Sequence, residues 1–515
     1  MWFIVPRMTF RRRARPATPE EAGFRKGLGR RQLQMIAVGS AIGTGLFLGT
    51  GARLEIAGPS VALMYLVCGI IGYFILRFLG ELIVYRPTTG SFVSYAREFY
   101  GEKAAYVSGW MYWFNWAMTA VADGTAIAIY IKWFGQYSEF IAGLPQGLIA
   151  LIVVVTVVGL NLLSVKVFGE LEFWFSLIKI LALSGFLVIG VIFVIVGTPI
   201  DEPSGLSLLT ESGGLFPNGV MPALIVIQGV VFAYAGIELV GTASGEAKNA
   251  RTEIPKAVNL VMMRIIVFYF GSVLLLCLLM PYTEYSAGES PFVTFFERIG
   301  VDAAAPIMQL IVITAAFSSL NAGLYSTGRI LHALSVEGSA PKFTARVSAK
   351  GVPTGGILFT AVVALFGVGL NYVVPEQTFE IVLNLAALGT MASWLAITLA
   401  HLRFVKLART TSEYNRPEYR APGYPGLNYL TLAFLAGVIV LMAFDYPVGS
   451  WTLIVSLLFV PLLVVGWVVN RRRIMAAVDA RQARKAASSQ ATPPEGDNPE
   501  GAPPERTPPE SAPGG

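Results

Sequence analysis

Lys179 lies inside an apolar run spanning 170–197, about nine residues from its nearer end. At about 1.5 Å of rise per residue this is ~13 Å into a helix. An ammonium at that depth either snorkels to the nearer interface or is a functional, switchable cation. Glu238 ends the stretch Phe232-Ala233-Tyr234-Ala235-Gly236-Ile237-Glu238 in another apolar run. A carboxylate there either braces irregular backbone or relays protons. Asn115, Thr119 and Asp123 recur at i, i+4 and i+8, so they share one helix face. A charged Asp123 facing lipid is costly, which turns this face toward a cavity or polar neighbours. Asp123 is thus a third proton-coupling candidate, and Asn115 and Thr119 are candidates to hydrogen-bond a ligand's side-chain amide. Ser318, Ser319, Asn321, Asn384 and Thr390 offer the same chemistry, although each serves equally well as glue between helices. His332 and His401 lie near segment ends and form no constellation. Proton handling therefore falls to carboxylates or a lysine.

The element that must position these groups is Gly39-Ser40-Ala41-Ile42-Gly43-Thr44-Gly45-Leu46-Phe47, in the middle of an apolar segment over 32–57. Glycine costs a helix interior about 1 kcal/mol relative to alanine. Backbone released from helical pairing inside a bilayer needs partners in protein or in a water-filled cavity. The stretch is either a tight packing face of small residues or a deliberate break. Phe232 to Gly241 repeats the pattern five segments later, and glycine-interrupted segments at corresponding positions of two halves point to a transporter's binding site. On that reading, the half-helix after Gly45 aims N–H groups and partial positive charge at a carboxylate. Carbonyls near Ala41 and from Phe232 to Ala235 accept from an ammonium. An α-amino acid carries both groups about a bond apart.

The chain has 515 residues, 55% hydrophobic and 14% charged, against about 25% charged in a soluble domain. It reads as an all-α, polytopic membrane protein. Twelve apolar segments are expected, at 32–57, 60–85, 104–134, 147–168, 170–197, 218–245, 257–281, 303–332, 354–374, 377–402, 428–446 and 449–470. Punctuation by Gly58-Pro59, Arg86-Pro87, Pro145, Pro199, Pro281 and Pro447 separates them. With the amino terminus inside, the inner loops collect Arg97, Lys103, Lys166, Lys342, Arg346, Arg403, Arg416 and Arg471 to Arg473. The outer loops collect Asp201, Glu202, Glu284, Glu289 and Asp302, with Arg53, Lys132 and Arg298 as the few bases. This is the positive-inside pattern, and it places both termini in the cytoplasm.

The expected organisation is a basic cytoplasmic arm at 1–31, a first repeat of five helices at 32–197, and an inverted second repeat at 218–402. Two further helices follow at 428–470, then a cytoplasmic tail at 471–515, expected to be disordered: after a basic, helical-looking stretch it becomes rich in Pro, Glu, Ser and Gly. Cys68 and Cys277 both sit in apolar runs, with no metal spacing. No phosphate loop or nucleophile–base pair is visible. The sequence thus gives no sign of an enzyme, a cofactor, a nucleic-acid partner or an obligatory protein partner. A channel's rings of charge are missing as well.

Ile42-Gly43-Thr44-Gly45-Leu46-Phe47, Gly58-Pro59, Gly80-Glu81-Leu82, Glu172-Phe173-Trp174-Phe175 leading to Lys179, and the Phe232 to Glu238 stretch resemble the amino-acid permeases of the amino acid–polyamine–organocation (APC) superfamily. More narrowly, Gly90 to Phe99, Ser290 to Phe296, Phe379 to Asn384 and Leu441 to Pro447 resemble its bacterial L-asparagine permeases. The resemblance spans roughly 25–470. It implies a LeuT-like five-plus-five inverted-repeat core with helices one and six broken. The function it implies is secondary active import of L-asparagine across the bacterial plasma (inner) membrane, by proton symport with alternating access. Other small neutral amino acids, of the D-serine, D-alanine or glycine type, are the alternative substrates, and a non-transporting amino-acid sensor is the alternative class. Carried over by motif, Thr44 and the N–H groups of Gly43 to Gly45 meet the carboxylate. The carbonyls of Ala41 or Ile42, Phe232, Ala233 and Ala235 meet the ammonium, and the Phe232 ring closes over the ligand. In sodium-coupled transporters of this architecture a cation joins helices one and eight near Lys179, whose ammonium would stand in for that ion.

Overall fold

The computed structural model describes residues 42–88, 90–197, 204–211, 213–239, 250–300, 303–373 and 375–490. The amino-terminal arm, Ala41, the loop with Asp201 and Glu202, the stretch with Gly241 and Lys248, Asp302 and the tail past Gln490 lie outside the described residues.

Among the described residues the structure is all helical. The first segment is broken into α1 (Thr44–Phe47) and α2 (Gly49–Ala57). Gly58, at φ +62°, and Pro59 then turn the chain into α3 (Ser60–Tyr85). A short amphipathic helix, α4 (Ser91–Tyr100), leads to α5 (Glu102–Trp133). Next come α6 (Gln146–Leu163) and α7 (Val165–Val196). The sixth segment is again divided, into α8 (Val220–Ile225) and α9 (Ile227–Ala233). The seventh holds α10 (Ala250–Arg264), a π-helical stretch Ile265–Phe270, and α11 (Gly271–Leu279). Then follow α12 (Pro291–Arg298), α13 (Ala304–Val336), α14 (Thr354–Val373), α15 (Pro375–Thr410), α16 (Gly426–Met442) and α17 (Val448–Gln490).

Eight described helices are long and apolar enough to cross a membrane; Val220–Ala233 and Gly426–Met442 are apolar but shorter. α5 is long enough, but its polar face lowers its hydropathy. Outward-facing Val188, Ile195, Phe366, Val373, Leu457, Val468 and Val469 are exposed, a surface that hydrocarbon would cover. α5 is the centre of the bundle and packs most extensively on α15 and α13.

Several boundaries differ from the sequence expectation. The fourth and fifth segments part at Ser164, not near Gly169, because the Ser164 hydroxyl accepts from the Val167 N–H (3.2 Å) and starts α7 early. Lys179 is therefore deeper along its helix than the segment edge suggests. α4 and α12 were not anticipated: each is too short to register as a span, and Pro291 opens α12 at its first position. The last helix runs past Arg471 to Gln490, so helical structure replaces disorder over that part of the expected tail. Arg481, on this extension, pairs with Glu102 and Glu337, and Arg97 of α4 pairs with the same two carboxylates. Two arginines bridging two glutamates hold the extension against the ends of α5 and α13.

His401 does belong to a constellation. Glu81, fully buried on α3, meets His401 Nε2 (3.0 Å) and accepts from Arg416 Nε (2.7 Å) and the Ala421 N–H (2.6 Å). The other ring nitrogen of His401 meets Asn428 at 3.0 Å. Glu81 is 320 to 340 residues from these partners in the chain, so no local spacing announces the cluster. Breaking a buried pair leaves an uncompensated charge worth about 3–5 kcal/mol. Glu81→Ala is expected to lower the unfolding free energy by an amount of that order, read as a lower thermal unfolding midpoint in detergent; an unchanged midpoint would show the cluster to be dispensable.

Candidate functional site

Each broken segment is interrupted at the glycines that mark it. Gly43 is extended at the start of α1 (φ −136°, ψ −160°), and no side chain caps that end. α9 stops at Ala233, and the chain continues through Gly236 at φ +91°, a conformation that costs glycine nothing and other residues considerably. The two interruptions touch. A Cβ on Gly45 would come within 2.7 Å of the Ala233 Cα and 2.9 Å of the Phe232 ring. The glycine is required because backbone from one break lies directly on backbone from the other.

Lys179, fully buried on α7, bridges to the first break. Its Nζ donates to the Ile42 carbonyl (3.0 Å) and to Ser318 Oγ on α13 (2.9 Å). Ser318 Oγ in turn donates to Glu172 Oε1 (2.6 Å). Asn321 reaches Glu172 Oε2 (3.4 Å), and Asn161 of α6 donates to Asn321 Oδ1 (2.9 Å). A lysine with two hydrogen-bond acceptors and a nearby carboxylate is anchored, not snorkelling. On the other side of the break, Thr44 Oγ1 donates to Asp123 Oδ1 (2.7 Å). A Cβ on Gly43 would meet Ser319 Oγ at 3.2 Å, so α13 also lines the break.

Residues 32–476 match the Amino acid permease family. The chain is 55% identical over 463 residues to L-asparagine permease 1 of Mycobacterium tuberculosis, covering 90% of this chain and 94% of that protein. It is 53% identical over 455 residues to the L-asparagine permease of Escherichia coli, covering 88% and 90%. It is 49% identical over 472 residues to the L-asparagine permease of Streptomyces coelicolor, covering 92% and 95%. The chain belongs to the amino acid permease family. It is a multi-pass membrane protein built for transport, not for chemical conversion.

Within this permease the expected site residues divide into groups. Ile42, Gly43, Thr44, Gly45, Phe232, Ala233, Lys179, Ser318 and Asp123 come together around the two breaks. Ala235 continues the second break as a half-buried turn residue, its N–H bonded to the Phe232 carbonyl at 2.9 Å. The Thr44 hydroxyl proton is committed to Asp123, and that of Ser318 to Glu172, so neither is free to donate to a ligand in this arrangement. Thr119 bonds back to the Asn115 carbonyl of its own helix (2.8 Å). Asn115 accepts from Thr390 (3.2 Å), and its Nδ2 has no partner among the described residues. Glu238 is fully buried beyond the second break, and its oxygens have no donor in hydrogen-bond geometry among the described residues.

Two buried charged groups beside these elements escaped the sequence reading. Glu172 entered only as part of a family motif, yet Glu172 and Lys179 at i and i+7 share a face two turns apart, a signal that was present. Arg53, expected in an outer loop, is instead buried in α2. It donates twice to Glu380 of α15 (2.8 and 2.6 Å) and to the Gly49 carbonyl (2.7 Å). Gly229 of α9 leaves the space its guanidinium fills. This bidentate pair ties the first segment to the tenth at the end of the bundle opposite Glu81.

Gly45→Leu would drive a side chain into the Ala233 backbone and separate the breaks. Overpacking of this kind costs about 1–3 kcal/mol or more. Substrate binding by the purified permease is expected to vanish, and normal affinity in that variant would reduce the glycine to a packing role.

Proposed function

We propose that this permease is a secondary active transporter that imports L-asparagine together with a proton by alternating access. The single observation that carries the reading is the backbone contact between the two helix breaks. It places uncapped helix-start N–H groups beside carbonyls at mid-bundle, which suits the joined carboxylate and ammonium of an amino acid. The similarity to three L-asparagine permeases over about nine-tenths of the chain supports asparagine as the cargo. Small neutral amino acids of the D-serine, D-alanine or glycine type are the competitors that a transport assay must exclude.

A twelve-helix, LeuT-like arrangement underlies the proposal, with repeats at 32–197 and 218–402 and two accessory helices from 428 onward. Its support is the pairing of corresponding elements. The first break contacts the sixth segment, α3 contacts α10, α5 contacts α13, and α6 contacts α14. Helices one to four of the first half each meet their counterparts in the second, which is consistent with a pseudo-two-fold relation between the halves. The basic groups at the Arg97, Arg416 and Arg481 end support a cytoplasmic placement of that end, and with it both termini, in the bacterial plasma membrane.

In the proposed cycle the ligand carboxylate sits at Gly43 to Gly45, the ammonium at carbonyls of Ile42, Ala233 and Ala235, and the Phe232 ring covers both. Asn115 Nδ2 faces the side-chain amide, with Thr119 beside it. Lys179, Asp123 and Glu238 are the proton-coupling groups.

In proteoliposomes under an inward proton gradient, Lys179→Ala is expected to reduce asparagine accumulation to the equilibrium level; uphill uptake at the wild-type level would remove Lys179 from coupling. Against labelled asparagine, unlabelled asparagine is expected to compete best in a panel of amino acids. Stronger competition by D-serine or glycine would reassign the cargo.

A further inference from the structure

We propose that Glu172 is the inward acceptor of the coupled proton, reached from Lys179 through the Ser318 hydroxyl. The proposal rests on the symport reading above and specifies the proton's route within it.

Three groups form an unbroken wire. Lys179 Nζ donates to Ser318 Oγ at 2.9 Å, and Ser318 Oγ donates to Glu172 Oε1 at 2.6 Å. All three side chains are fully buried, so water does not short-circuit the contact. Both of these distances suit hydrogen bonds along which protons move. In the transfer, the Lys179 ammonium gives one proton to Ser318 Oγ as the hydroxyl's own proton passes to Glu172 Oε1. Lys179 becomes a neutral amine, Glu172 a neutral acid, and Ser318 remains a hydroxyl. No oxidant, reductant or further reactant is needed.

The layout of α7 gives the transfer a direction. Its buried face reads Glu172, Ser176, Lys179 toward one end and Leu183, Phe186, Gly190 toward the other. On this buried face polar side chains beyond Lys179 lie only on the Glu172 side, which is the cytoplasmic side in the proposed orientation, and the Glu172 backbone is about 10 Å farther along the helix than that of Lys179, a gap their side chains close through Ser318. Of the elements packed on α7, α13 presents Ser318 and Asn321, and α6 reaches Asn321 through Asn161. α11 presents Leu275 and Leu279 to Gly190. Among the described residues, Asp123 of α5 and Arg264 of α10 are the other charged groups acting on Lys179, whereas Lys179 is the one acting on Glu172.

Substrate arrival drives the step. Lys179 holds the Ile42 carbonyl, which the ligand's ammonium needs. A second positive charge there displaces Nζ from Ile42, leaves it on Ser318, and disfavours two neighbouring cations. The proton moves inward to Glu172 while the ligand is bound, so both cargoes are loaded together. Asn321 supports the acid at its second oxygen.

The test uses full-length protein in proteoliposomes with an entrapped pH dye. Uphill asparagine uptake under a proton gradient, proton entry, and asparagine counterflow, which needs only binding and exchange of states, are measured together. For Glu172→Gln, gradient-driven accumulation and proton entry are expected to fall about tenfold or more, with counterflow kept close to the wild-type rate. Glu172→Asp keeps an acid there and is expected to restore part of the proton signal; it also serves as the reading if the glutamine variant does not assemble. Wild-type accumulation and proton entry by Glu172→Gln would overturn the relay and leave symport standing. Loss of counterflow in both variants, in step with accumulation, would overturn it in favour of a structural counter-ion. Asparagine uptake by the wild type without proton entry would overturn the symport reading itself.

Discussion

In hydrocarbon, a backbone N–H or C=O without a partner costs several kcal/mol, so a helix can be interrupted in a membrane only where protein or a ligand takes over its hydrogen bonds. The rest of this permease follows from meeting that constraint twice in one place. Gly45 lies against the Ala233 backbone, so the two interrupted segments shield each other from lipid. The surrounding helices complete the shield. α13 supplies Ser318 and Ser319, α5 supplies Asp123, and α7 supplies Lys179, whose ammonium takes the Ile42 carbonyl. The long helices are thus a frame whose inner faces carry polar groups where the breaks are and, outside the breaks, polar groups that are paired with one another, as Glu81 is with His401 and Arg53 with Glu380.

The frame also sets where charge can reside. A buried ion needs partners that repay its lost hydration, and the breaks provide them as carbonyls and hydroxyls. Lys179 and Glu172 are two turns apart on one helix and are joined through a hydroxyl from another. Asp123 is separated from them by the first break and holds Thr44 instead. Acid and base are therefore distributed on either side of the proposed ligand position. An ammonium entering at Ile42 must compete with Lys179, and a carboxylate entering at Thr44 must contend with Asp123. At the proposed ligand position, binding of an amino acid would be electrostatically coupled to both ionisable groups by placement alone.

Much of this was legible in the chain because glycine and charge are conspicuous in apolar sequence. The interruptions at Gly43-Thr44-Gly45 and at Gly236, the depth of Lys179 and the shared face of Asn115, Thr119 and Asp123 all follow from local pattern. Partners contributed by another helix were less legible. Glu172 looked like a motif residue until α13 brought Ser318 between it and Lys179. His401 looked isolated because Glu81 and Arg416 reach it only in the folded bundle. Arg53 read as a loop base because a charge near a segment end is ordinarily solvated, and only the space left by Gly229 lets it enter the bundle. The Ser164 boundary was missed because a hydroxyl cap outweighed the glycine signal a few residues later.

The pairing of corresponding helices gives these details a common logic. When two halves meet about a pseudo-two-fold, elements near the axis touch their counterparts, and a break in one is opposed by a break in the other. Groups that join the halves then report on their relative position. The Lys179–Ser318 bond joins the first half to the second near the breaks, Arg53–Glu380 joins them toward one end, and Glu81–His401 joins them toward the other. A rigid-body rotation of one half against the other cannot preserve all three contacts equally, because they lie at different distances along the bundle. The central contact moves least and the terminal ones most. Alternating access in such a frame would release one terminal contact at a time while the central hydrogen bond keeps the ligand and the proton in register.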